Sequence, residues 1–196
     1  MKLEGKKPEL LLNFDEFVNV WTDVIKEYYA RGISSDNIMK AFRSDSEQEA
    51  HFEMEYFIML LVIAMRQWTK KYFDEKAKKK VQDSVVEKAT AEIFGDNPEM
   101  QDLCRDLFEK RFKMMEELSP VKKLTGEEQI RTSAIGFARV LVSECTQGKE
   151  ETFKDVIEQI SVVFLAAEST FLHLSKNTIL DGNGMLFGKY RFLVSK

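Results

Sequence analysis

Ten consecutive residues, Tyr56 to Met65 (YFIMLLVIAM), carry no charged side chain. A helix that is apolar on every side for nearly three turns is stable only when other elements surround it. A membrane is the other apolar surrounding, but a span needs roughly twenty such residues. Glu53 and Glu55 precede the run and Arg66, Lys70 and Lys71 follow it, the polarity that suits the dipole of a helix with solvated ends. The run therefore predicts a central buried helix over about residues 46–74, with ordinary charged termini and a shell of amphipathic helices around it.

The rest of the chain supplies that shell. Asn13 followed by Glu16 has the form of a capping box, and Phe14, Phe17, Val18, Trp21, Val24, Ile25 and Tyr28 recur at helical spacing, so a first helix runs from about 14 to Arg31, with Gly32 as its stop. Ser35 or Asp36 opens a short helix through Phe42. Beyond the central helix, which either breaks or bends near Phe73, helical sequence continues to a stop at Gly95. Asn97 and Pro98 then start a helix whose apolar face is Met100, Leu103, Leu107, Phe108, Met115 and Leu118. Thr125 with Glu128 forms a second capping box, ahead of Ile130, Ala134, Phe137, Ala138, Leu141 and Cys145. A last helix carries Phe153, Ile157, Ile160, Phe164, Ala167, Phe171 and Leu174. From residue 177 the glycines at 182, 184 and 188 punctuate short apolar runs, which suggests a hairpin or an extended tail laid on the bundle.

The expected architecture is all-α: one domain of six or seven helices at 13–176, an N-terminal tail at 1–12, and a C-terminal hairpin or tail at 177–196. Composition agrees, since only 9 Gly and 3 Pro interrupt 196 residues that include 15 Phe, too aromatic for a disordered chain. No internal repeat is visible.

Few patterns carry chemistry. Glu47, His51 and Glu55 sit at i, i+4 and i+8 on one helical face and are the candidate metal ligands, with donor types suited to iron, manganese or zinc. A ferritin-like di-metal centre also needs paired Glu-x-x-His motifs. The chain has none, and His173 lies five residues after Glu168, on a different face. The "LDGNG" at 180–184 matches an EF-hand loop in its middle but puts Ile179 and Tyr190 where the first and last carboxylates belong. No phosphate loop of Walker spacing and no Gly-x-Ser-x-Gly elbow occurs. Cys104 and Cys145 are expected as buried, reduced thiols within helices. These absences disfavour an enzyme, and no cofactor is expected.

Net charge is −4, and residues 81–120 hold five basic against ten acidic side chains. Glu47, Glu49 and Glu53 would repel phosphates where a helix-turn-helix reading of residues 25–42 would present its following helix, leaving Lys40 and Arg43 as readers. The Lys76–Lys80 cluster is flanked by Asp74, Glu75 and Asp83. DNA binding is thus disfavoured, although a transcriptional regulator stays among the alternatives. The N-terminal sequence lacks the apolar core of a signal peptide, so the expected location is cytoplasmic, with no transmembrane segment. Partner binding remains as the leading expectation: a regulatory or adaptor-type interaction protein, homodimeric through a long helix, with a metal or small apolar ligand as the alternative. Small residues at Ser133, Ala134, Gly136 and Ala138 would let another helix approach closely, and Met59, Met65, Met114 and Met115 could line an adaptable apolar pocket or interface.

Overall fold

A computed structural model describes residues 10–43, 46–69, 75–117 and 126–180. Among the described residues, seven helices form one all-α domain. In chain order they follow a short strand: β1 (Leu10–Leu12), α1 (Phe14–Ile33), α2 (Asp36–Met39), α3 (Ser46–Thr69), α4 (Glu75–Phe94), α5 (Pro98–Glu117), α6 (Gly126–Cys145) and, after a 3-10 turn at Glu150–Phe153, α7 (Lys154–Asn177) and β2 (Thr178–Leu180).

The central helix is where the apolar run places it. Every residue from Tyr56 to Met65 is fully buried, and α3 contacts α1, α4, α5, α6 and α7. Aromatic rings lock these helices to one another at both ends of the axis. Phe17, Trp21 and Phe171 gather around Trp68 at one end, with Phe17 and Trp68 centroids 4.6 Å apart. At the other, Phe42, Phe52, Tyr56 and Phe164 make a continuous stack. Such pairs add directional preference to the area they bury.

Local signals set most boundaries. Asn13 and Glu16 exchange two 2.9 Å hydrogen bonds, completing the capping box of α1. The Asn97 side chain accepts from the backbone N–H groups of Glu99 and Met100 at the start of α5, and Gly95, at φ +83°, ends α4. The expected break or bend near Phe73 falls at residues 70–74, between α3 and α4, which lie outside the described residues.

Three expectations change. Gly32 does not stop α1; the helix continues to Ile33. It allows α1 to cross α3, because a methyl group there would fall inside the van der Waals envelope of the Tyr56 ring. Leu103 is not on the core face of α5: it is 48% exposed, and the buried line runs Cys104, Phe108, Arg111, Met115. The charged ends of the apolar run are not solvated, since Glu55 and Arg66 are 2% and 5% exposed.

Where a tail seemed to begin, Thr178–Leu180 pairs in parallel with Leu10–Leu12, in the register Leu10 to Thr178. Residues 181–196, most of the expected C-terminal hairpin or tail, lie outside the described residues, as do Leu118 and Thr125.

Candidate functional site

The charged interior lies between α3, α5 and α6. Arg111 replaces a hydrophobe in the core line of α5, three residues from Phe108 and four from Met115. Its guanidinium grips Glu55 of α3 with two hydrogen bonds, 3.0 Å from Nε and 2.8 Å from Nη2, and reaches Glu144 of α6 at 2.6 Å. The charge-assisted hydrogen bonds to Glu55, and then the one to Glu144, hold Arg111 protonated, raising its pKa against the opposing effect of burial. One arginine thus ties three helices.

Beside this network lies a hollow of about 580 Å³, lined by Glu47, Gln48 and His51 of α3 and by Glu144, Cys145 and Thr146 at the end of α6. Gln48 Nε2 donates to the Cys145 carbonyl at 3.2 Å, closing one wall. The three candidate ligands therefore divide. Glu47 and His51 are exposed at the hollow, whereas both Glu55 oxygens face Arg111, and His51 Nε2 stands 3.9 Å from Glu55 Oε1. Among the described residues no group of three or more His, Cys, Asp or Glu side chains is gathered for a metal.

Both cysteines are buried and unpaired with each other. Burial pushes the Cys104 thiol up, and the Cys145 thiol is pushed up to about 12 by burial and by the nearby carboxylates of Glu55 and Glu144. A protonated, covered thiol is a poor nucleophile.

At the far end of α3, Gln67 Nε2 donates to Glu168 Oε1 at 2.7 Å, the Ser175 hydroxyl donates to the Gln67 carbonyl at 3.2 Å, and Arg66 lies 5.5 Å over the Phe137 ring. Burial lowers the Arg66 pKa, opposed by the charges of Glu168 and Glu116. This cluster fastens α3 to α7.

The basic candidates are taken up by carboxylates. Arg43 lies 3.2 Å from Asp36 and 3.5 Å from Glu49. In the 76–80 cluster Lys78 pairs with Glu75, Lys79 with Asp83 and Glu109, and Lys80 caps the Phe14 ring.

An open groove of about 730 Å³ runs between the outer faces of α6 and α7. Ile135 and Arg139 line one side and Val162 and Leu165 the other, with the buried Ala134 and Ile157 beneath. Val162 is 66% exposed, and among the described residues only Leu103 joins it as an exposed large hydrophobe. The rim holds Arg139 and Lys154 against Glu151 and Glu158. Glu151 bonds Lys154 at 2.9 Å, which with the Lys154 and Arg139 charges lowers its pKa. Ser133, Ala134 and Ala138 turn inward, where α6 packs on α7, while Gly136 faces open space.

Sequence reasoning assigned no role to Arg111, Glu144, Arg139 or Val162. Val162 has a legible signal: at about 100° per residue it falls opposite the Phe164–Phe171 core stripe. By length and composition the helical segment Glu151–Lys176, the end of the 3-10 turn with most of α7, meets the requirement for crossing a membrane, which α3 does not. Its Ile160, Phe164, Ala167 and Phe171 are buried within the bundle.

No family model, curated protein or solved structure matches the chain.

Proposed function

We propose that this chain is a non-enzymatic, cytoplasmic interaction protein of the regulatory or adaptor type, which binds a protein partner and works as a homodimer. The observation that carries this reading is the groove between α6 and α7, with Val162 exposed at its edge. A lone exposed valine needs no explanation. A valine beside Ile135 and Leu165, along a groove with a charge-balanced rim, has the apolar-centre, polar-rim anatomy of a docking face.

A photo-crosslinking residue at Val162, in the cells that express the protein, tests the proposal. A covalent adduct of discrete mass is expected there and not from the same residue at Glu87, an exposed position on α4. Equal labelling at the two positions, or none at Val162, overturns it.

One observation favours a second reading, a bound metal or small ligand: Glu47 and His51, two of the three candidate ligands, both line the hollow of about 580 Å³. Calorimetric titration with Zn²⁺ or Mn²⁺ should then give heat that His51→Ala removes. Heat unchanged by that substitution, or none, excludes the site.

A further inference from the structure

We infer that the occupant of this face is a second copy of the chain, with the two α7 helices crossing antiparallel about a two-fold axis near Val162 and Ala166. The inference rests on the docking role of the α6–α7 surface and names its partner.

The outer stripe of α7 is complementary to itself when one copy is reversed. At about 100° per residue, every third or fourth position from Asp155 to Lys176 falls within about 40° of Val162, opposite the buried stripe of Phe164 and Phe171. These positions are exposed. Their chemistry changes along the helix in three blocks. Asp155 and Glu158 make the first turns acidic; Val162, Ala166 and Ser169 make the middle small and uncharged; the last turn carries the Lys176 cation and the imidazole of His173.

An isologous interface needs a surface that is its own complement. Turning this stripe through 180° about its middle sets Val162 against the partner's Ala166, a branched side chain over a small one. The same rotation brings Asp155 opposite the partner's His173 and places Lys176 next to the partner's acidic first turns. In a parallel pair, like charges would face each other at both ends. The helix dipole favours acids in the first turn and bases in the last, but it fades within a turn. Glu158, in the second turn, is outside its reach; in the antiparallel pair it faces the partner's Thr170, about one turn from the partner's His173.

The neighbouring groove fits the same pairing. Its rim is neutral overall, with Arg139 and Lys154 balancing Glu151 and Glu158, so a strongly charged partner gains nothing there. Gly136, with open space in front of it, lets the second copy come close to α6.

Sedimentation equilibrium of the purified full chain tests the pairing. The wild type should be a dimer, and Val162→Glu, which sets like charges against an apolar centre, should weaken it at least about tenfold, with unchanged circular dichroism. Asp155→Lys and Lys176→Glu should each weaken the dimer, and the double variant should recover it. A monomeric wild type overturns the self-pairing, and the Val162 adduct mass then shows whether a different protein sits on the face. A dimer insensitive to Val162→Glu, or two charge variants whose effects only add, overturns the antiparallel geometry. Flotation with anionic vesicles that Val162→Glu abolishes overturns it in favour of a lipid surface.

Discussion

Arg111 holds a core position by virtue of Glu55, and Glu55 is tolerated at 2% exposure by virtue of Arg111. Taking both charges from water costs several kcal/mol each, so the pair adds little net stability, yet losing one partner strands the other. Arg111→Ala should lower unfolding free energy by about 3–5 kcal/mol in urea titration, and the apolar pair Glu55→Leu with Arg111→Met should recover most of it. A loss below about 1 kcal/mol for the single variant would show the pair to be solvated. Cys145 gives the residue-scale pH dependence. Its folded thiol, pushed up to about 12, keeps its proton while the unfolded thiol loses it near 9.0. Its contribution is therefore intact below the unfolded value and is lost as pH climbs toward the folded one. The urea midpoint should fall between pH 8 and about 10.5, and Cys145→Ala should flatten that fall. An identical slope in the variant would assign the effect to other groups, among them Cys104, whose shift has the same sign.

At the scale of elements, the close crossing of α1 and α3 depends on Gly32. Gly32→Ala should destabilise by about 1–3 kcal/mol, and Tyr56→Leu should cost less in that background than alone. Additive costs would mean that the two residues do not meet. This contact also marks how far the sequence is legible. Asn13, Gly95 and Asn97 declare helix ends because each acts on backbone within three residues of itself, and the apolar run declares the axis because it has no polar face. Gly32 has two uses, stop and crossing point, and the choice depends on Tyr56, 24 residues away. Arg111 looks like a break in an apolar stripe until Glu55 arrives from another helix. The same limit holds for the candidate sites. The shared face of Glu47, His51 and Glu55 follows from spacing, but the diversion of Glu55 to Arg111 does not. The phase of Val162 can be read from α7 itself, whereas its exposure requires knowing that no other helix of the bundle covers it.

For the molecule as a whole, β1 and β2 join segments 168 residues apart in sequence. Closing so long a loop is entropically costly, which makes this pairing a late event in folding. Because the strands are parallel, tension on the two chain ends draws β1 and β2 past each other in opposite directions. The hydrogen bonds between them are then loaded together instead of being peeled apart singly. The pairing acts as a shear-loaded clasp, so stretching the protein by its ends in optical tweezers should give a distinct first rupture. That rupture should vanish when one handle is moved to Asp96, which leaves β2 out of the path of force. A force trace unchanged by the move would place the resistance in the helices. A bundle otherwise built from helices that yield turn by turn thus has a mechanical polarity, resisting end-to-end load more strongly than load on a single helical segment.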